Sequence, residues 1–588
     1  MRYFALIMLC VAAGCSDAEP DGPGDGGPLV DAAPLMDAGD PCSEENMQSD
    51  PDNCGSCGNR CVLFGADALC AEGECALDAC LEGYVDLNND ASDGCEYQCS
   101  ITDPLDPIDS EGRDENCDGF DGLLSQLIFV SPEGDDSEQG LQDAPVASFA
   151  AALSLADPNG SRRAIVIAEG TYDLSGIGEV PAGVSLHGGF RDDGRWTRDV
   201  EARATFGETV GPLVIGGGAG VTIEGLELST ESRTVERDGQ SASALGLVIL
   251  DGEGLRGHNL IVRAGAGTDG VDGRPGLDGA TGLNGGGGQR GCEDSSGFCS
   301  DCDRPNTGTG GSSPCGAAGG AGGRPGHGGG AGRDGAPGLG EPVEGAPEGA
   351  NGAGGSPGGA GRGYNSGGQG GVGSTGAAGA AGDAGQHAGR FDALVYQIAS
   401  GAIGVIGGAG GGGAGGGGGG GGGRGLRCDN FGGAAGGGGG GGCGGTGGGP
   451  GTGGGASVAL LVLAGSPQLT MSTFTTLGGG QGGAGALGGV GGIGGDGGNG
   501  GARYSDSGAG GTGGNGGDGG LGGSGGGGGG GPSVGVWLAD GSQGQVTTCI
   551  FELGPGGAGG LGATRSEEEE PTNSGATGLS VSVYAATP

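Results

Sequence analysis

The residues best suited to chemistry are oxygen ligands. Asp114-x-Asn116-x-Asp118-Gly119 has the spacing of the first half of a twelve-residue calcium loop, with glycine at its sharp turn. Carboxylate and amide oxygens favour a hard cation, so Ca²⁺ is the cofactor this string offers, through Asp114, Asn116 and Asp118. Its twelfth position is Ser125, so the bidentate carboxylate is missing and binding is expected to be weak. An Asp/Gly turn braced through Cys117 accounts for the same residues without metal. The string Asp86-x-Asn88-x-Asp90 has Ala91 at its sixth position and Tyr97 at its twelfth, which excludes a calcium loop.

The remaining reactive residues form weaker patterns. Cys54-x-x-Cys57 has zinc spacing, but no histidine precedes His187, and disulfides are the expected fate of these thiols. Arg256, His258 and Arg263 lie close in sequence and read as turn and surface residues. His187, His327 and His387 have no partner recognisable from spacing. There is no nucleophile motif and no phosphate loop, because glycine here is a repeat without a strand–helix context.

The elements that must position these residues follow from composition. Glycine supplies 167 of 588 residues: 37 in residues 1–263 and 130 in the 325 residues that follow. A stretch that is 40 % glycine cannot build an ordinary side-chain core, and with 4 % aromatics the chain is not one large globular enzyme. Acids outnumber bases 72 to 24, every base is Arg, and the net charge is −48. Nucleic acid and anionic membrane surfaces are therefore excluded as partners.

Residues 1–14 read as a signal peptide: Met1-Arg2, then the apolar run Tyr3–Val11, too short to span a bilayer. Ala12-Ala13-Gly14-Cys15 resembles the bacterial lipobox, which implies lipidation of Cys15 and an anchor in the membrane; Ala12 replaces the usual Leu. Ser16 after the cysteine implies the outer membrane, so the expected location is the cell surface. Residues 15–41 read as an acidic Pro/Gly tether. Residues 42–126 form a cysteine-rich module. Cysteines fall in clusters of ten (42–117), four (292–315) and two (428, 443), with a lone Cys549, and even counts suggest local disulfides. Asp52-Asn-Cys54-Gly-Ser-Cys57-Gly-Asn-Arg-Cys61 resembles the Stig1-like cysteine-rich module. Asp114-Glu-Asn-Cys117-Asp-Gly-Phe-Asp-Gly122 resembles the MopE-type metal-binding motif.

From Leu127 short β-branched runs alternate with Gly, Asp or Asn turns, with Phe149–Leu153 as a short helix. Ile128–Asp136, Ala168–Tyr172 and Gly183–Phe190 resemble the cap and first coils of pectin-lyase-like right-handed parallel β-helices, over residues 127–265. Ala244–Leu250 recurs as Ser457–Leu463 and Ser533–Leu538, each followed by a second apolar run at Leu260–Val262, Leu469–Phe474 and Val546–Phe551. Phe391–Ile406 reads as a weaker copy and Leu579–Tyr584 as a last strand. Residues 266–588 are then later coils, each extruding a glycine-rich loop at one corner. The expected class is all-β: a right-handed parallel β-helix with glycine-rich insertions behind a disulfide-rich module.

Glycine keeps a period of three at 267–285, 367–385, 479–500 and 510–525, the period of polyglycine-II. Packed antiparallel arms with turns at Glu341–Asn351 and Ala502–Ser507 are one outcome, a flexible brush the other. Fixing a residue costs roughly 1–2 kcal/mol and a hydrogen bond returns about 0.5–1.5, so disulfides and the strand anchor decide. Such bundles resemble glycine-rich antifreeze proteins and phage tail-tip adhesins, and the composition resembles PE-PGRS-type surface proteins. The expected function is a lipid-anchored structural or adhesive protein that binds surface polysaccharide or matrix without catalysis. A polysaccharide-active β-helix enzyme and a Ca-dependent surface binder are the rivals.

Overall fold

The computed structural model describes residues 42–109, 112–232, 241–294, 299, 302–340, 350–423, 428–539, 541–565 and 570–586. The signal, Cys15, the tether and most of the 341–351 turn lie outside them. The chain divides into two compact units. One takes the described residues up to Pro104 together with Asp114–Gly119; the other takes Leu105–Arg113 and everything from Phe120 onward.

The first unit is small and held by sulfur. Its helix Glu44–Ser49 is capped by Ser43, and two antiparallel pairs follow, Ala66–Ala71 with Glu74–Cys80 and Tyr84–Val85 with Tyr97–Gln98. All ten cysteines pair locally: 42–57, 54–70, 61–75, 80–95 and 99–117. Cys54 and Cys57 bond to different partners, so a zinc site through that pair is ruled out.

In the second unit the chain steps repeatedly through three parallel sheets. The first sheet stacks Leu127–Val130, Ala164–Ala168, Ser185–Arg191, Thr222–Glu224, Arg256–His258, Gln468–Thr470 and Gln545–Thr547. The second stacks Gly170–Tyr172, Ala204–Thr209, Leu226–Thr230, Ile261–Ala264, Thr473–Thr476 and Ile550–Leu553. The third stacks Leu213–Gly217, Ala244–Asp251, Ser457–Val462, Ser533–Leu538 and Ser580–Ala585. Residues in register form columns through the core, as in Phe206, Leu228, Val262, Phe474 and Phe551. A helix, Phe149–Leu155, buries Phe149 and Ala152 against the first strands. Ser533–Leu538 is buried along its whole length, because Val536 and Leu538 pack into one apolar cluster and Val534 and Trp537 into another on the opposite face. Phe391, Tyr396 and Tyr584 close over its Trp537, with ring centroids 5.0, 6.2 and 4.5 Å away. Phe391 and Tyr396 belong to an antiparallel hairpin, Arg390–Asp392 with Val395–Gln397, so that segment is an insertion element rather than another copy of the strand repeat.

Every glycine insertion leaves after a second-sheet strand and returns to a third-sheet strand: 265–456, 477–532 and 554–579. Three residues per turn point successive backbone groups at 120° intervals, so each residue of a triplet can bond a different neighbour. Arm 399–423 does this. Gly410 donates to Gly442, Gly411 to Ser374 and Gly412 to Leu339, and then Gly413, Ala414 and Gly415 repeat the order with Gly439, Gly371 and Ala336. It accepts from three further arms, through Gly320 to Gly413, Gly355 to Gly412 and Gly514 to Ala414. Six arms surround it: 317–326, 330–340, 350–361, 366–387, 432–455 and 508–531. Arm 432–455 is enclosed likewise by 267–291, 306–313, 317–326, 399–423, 479–502 and 508–531.

Glycine content follows the number of neighbours. Where six arms press on one, residues 410–423 are glycine except Ala414, and residues 432–442 except Ala434 and Ala435; all are buried. A Cβ on Gly413 would overlap the Gly514 carbonyl. Nearer the sheets, beyond the reach of three of those arms, side chains return as Ala402, Ile403, Val405 and Ile406, with Ile403 65 % exposed. Residues 525–531 become all glycine where 555–561 and 573–578 join. The disulfides in this region differ from the local pattern expected. Cys292–Cys302 is local, but Cys299–Cys428 and Cys315–Cys443 tie the turns of one set of arms to arms more than a hundred residues later. Cysteines distant in sequence meet because the arms between them run out and back.

A Cβ on Gly491 would overlap the Gly519 carbonyl, whereas Val490 is half exposed. Gly491→Val is therefore expected to cost at least about 1–3 kcal/mol and protease resistance, and Val490→Ala under about 0.5 kcal/mol. Thermal melts and limited proteolysis compare the two; equal resistance would mean the arms do not pack.

Candidate functional site

The turn that carries Asp114, Asn116 and Asp118 is closed by its own hydrogen bonds. Both Asp114 oxygens accept backbone N–H groups, Oδ1 from Asp118 at 3.1 Å and Oδ2 from Gly119 at 2.7 Å. Asn116 accepts from the Asp118 N–H at 2.8 Å and donates to the Asp118 carboxylate at 3.0 Å. Cys117 stands at φ 62 and is bonded to Cys99, which fixes the bend. The three predicted ligands are thus neighbours, and together they offer oxygen ligands to a cation. Part of that capacity already holds the turn. Asp86–Asp93 forms a comparable closed turn, with the Asp90 N–H on Asn88 at 2.7 Å and Asn88 on Asp93 at 3.0 Å.

A second constellation, in the other unit, was not anticipated from spacing. On the first sheet, His187, Glu224, His258, Thr470 and Thr547 occupy one register column. His187 Nδ1 lies 2.7 Å from Glu224 Oε1, with both side chains about 95 % buried. The other Glu224 oxygen takes Arg198 at 2.9 Å, and Arg198 reaches toward Asp121 at 3.7 Å. His258 Nδ1 is 2.9 Å from the Thr470 hydroxyl. The sequence signal is the alignment of Gly183-Val-Ser-Leu-His187, Gly220-Val-Thr-Ile-Glu224 and Gly254-Leu-Arg-Gly-His258. Each begins with a glycine at positive φ, +84°, +81° and +67°, that turns the chain into its strand.

Burial pushes Glu224 up, but the His187 hydrogen bond and the Arg198 charge outweigh it and hold the carboxyl below its ordinary range. Asp121 is different. Burial dominates, Asp109 and Asp106 add repulsion, and the Asp109 N–H and Arg198 only partly compensate, so its pKa is pushed up to about 7. His187 also lines a cleft of about 520 Å³ with Asp106, Ile108, Arg163, Ser185 and Thr222. Histidine with one nitrogen fixed on a carboxylate can bind or move a proton at the other.

The other marked residues stay peripheral. Arg256 is exposed and stacks between Thr222 and Gln468, and Arg263 pairs with Glu227 at the surface. His387 is exposed, and His327 stacks on Phe431 at 4.5 Å in the glycine region. No helix among the described residues is long and apolar enough to cross a membrane. No protein-family model, curated protein or solved structure matches the chain.

Calcium titration of the full chain by calorimetry is expected to give binding no tighter than about 10⁻⁴–10⁻³ M, lost in Asp118→Asn. Unchanged heat in that variant would leave only a structural turn. Because the folded pKa of Asp121 lies above its unfolded value, its protonated form favours the fold, and stability falls as pH rises between about 4 and 7. The ceiling is about 4 kcal/mol. Denaturation midpoints at pH 5 and pH 8 should drop for the parent and less for Asp121→Asn; equal slopes would mean Asp121 titrates normally.

Proposed function

We propose that this chain is a lipid-anchored surface protein of the outer membrane, in which a right-handed parallel β-helix carries a polyglycine-II slab as a rigid body for binding surface polysaccharide or matrix. One observation carries the reading. Successive laps through the three sheets release their insertions at the same corner, and those insertions hydrogen-bond into one lattice. A lattice with its centre filled by backbone has side chains only at its rim. There Leu277, Leu283, Val490 and Ile493 are exposed beside Asp and Asn residues. Mixed apolar and hydrogen-bonding rows at regular spacing suit an extended polymer better than a small molecule. The cysteine-rich unit supplies a compact spacer, and its Asp114–Asp118 turn a weak Ca²⁺-dependent element of the same surface role.

A second reading, a polysaccharide-active enzyme, draws on the His187–Glu224 pair beside its cleft. His187→Gln would abolish turnover of acidic and neutral polysaccharides under that reading and leave polymer binding intact under the first.

Cys15→Ser is expected to move the protein from the detergent phase to the aqueous phase on partitioning, and retention would remove the anchor from the proposal. Polymer adhesion by the full chain should fall at least tenfold in a Val490→Glu/Ile493→Glu variant; unchanged adhesion would shift binding away from this face.

A further inference from the structure

The outer side of the slab has two grooves, on either side of arm 479–502, and both show N–H groups aimed where another arm would lie. In the groove between 479–502 and 508–531 that further arm is present near the sheets. Gly479, Gly482 and Gly485 donate to the carbonyls of Pro555, Ala558 and Leu561 at 3.0, 2.8 and 2.8 Å. Gly557 and Gly560 donate back to Gly531 and Gly528 at 2.9 and 2.8 Å. The groove is therefore a working acceptor track for a glycine arm.

Farther along the same track, side chains replace the arm. Gly494 donates to Asp518 Oδ1 and Gly497 to Asn515 Oδ1, both at 2.9 Å. In the groove toward 267–291 the substitution recurs at four triplet positions. Gln481, Ala484, Val490 and Asp496 donate to Asp269, Asp272, Asp278 and Asn284 at 2.7–2.8 Å. All four bonds span 212 residues, because both arms advance by triplets. These side chains project from triplet positions open to solvent and satisfy donors that no backbone covers.

We infer that these Asp and Asn side chains are caps that end the glycine lattice and keep an arm from a second copy of this chain off its outer face. A capped N–H cannot donate to an incoming carbonyl, and the carboxylate or amide stands where the incoming backbone would lie. The logic is that of charged, blocked edge strands in β-sheets, applied to three-residue arms. A second copy is the occupant because its rim arms have the same triplet period, and 555–561 shows in cis that an arm of that period fits this track.

Asn515→Ala/Asp518→Ala removes both tip caps from exposed positions without touching a packed glycine. Sedimentation velocity of the full chain should show at least a tenfold rise in the dimer association constant over the parent. Sedimentation like the parent, with protease resistance retained, overturns the proposal. Asp518→Asn keeps the acceptor oxygen and loses the charge, so it is expected to sediment like the parent. Dimerisation by Asp518→Asn as strong as by the double variant would overturn capping in favour of charge repulsion. Should the double variant lose its protease resistance, Asp518→Ala alone is read by the same two outcomes.

Discussion

A backbone that hydrogen-bonds to neighbours on all sides has almost no room for a Cβ. That constraint sets the composition of nearly half of this chain. Arm 399–423 gives successive N–H groups to three neighbours and takes N–H groups from three more, so beyond Gly410 only Ala414 carries a side chain. Arms with fewer neighbours keep one glycine in three or two in three, and the freed positions carry the Asp, Asn, Thr and aliphatic residues of the rim. Glycine usually weakens a structure, because it loses the most freedom on ordering. Here it is the residue that lets nearly every position of the central arms satisfy its backbone groups on neighbouring arms.

The sheets supply what the arms lack. A polyglycine arm has no apolar core to fix its register, whereas the column Phe206–Leu228–Val262–Phe474–Phe551 in the second sheet and Leu247–Leu460–Val536–Val583 in the third fix the strands at the two ends of each insertion. The hairpin at Arg390–Gln397 adds a third anchor by closing on Trp537. At the far side Cys299–Cys428 and Cys315–Cys443 bind turns to neighbouring arms. Hydrogen bonds are thus needed only along the arms, and alignment is set elsewhere.

Much of this was legible in the sequence because the strand and the triplet each recur as a recognisable pattern. Strand recurrence at 244, 457 and 533 and the triplet period identify parallel strands and outgoing arms without any knowledge of contacts. Which arms lie at the centre is also written in the sequence, as glycine broken only by Ala414 in 410–423 and by Ala434 and Ala435 in 432–442, although that meaning appears only when neighbours are counted. Cross-arm disulfides were not legible, since even counts within a cluster say nothing of chain paths. The His187–Glu224 pair escaped spacing for a similar reason. Its members stand 37 residues apart, one lap of the sheets, and only alignment of the three turn glycines brings them together. The acidic turn lies at the opposite extreme: every residue of Asp114–Gly119 was visible, and hydrogen bonds among Asp114, Asn116, Asp118 and Gly119 close it with the Cys99–Cys117 disulfide.

Antiparallel arms that share one triplet register have a quantised length. Lengthening an outgoing arm and its return by one triplet each moves the turn outward by roughly 9 Å and leaves every other hydrogen-bonded pair as it was. Adding a single residue instead rotates the remainder of the arm by a third of a turn and presents side chains to the interior. Insertions and deletions in such a protein are therefore tolerated in threes, in matched pairs, and independently of the sheets. The size of the body can drift over evolutionary time while its base stays fixed.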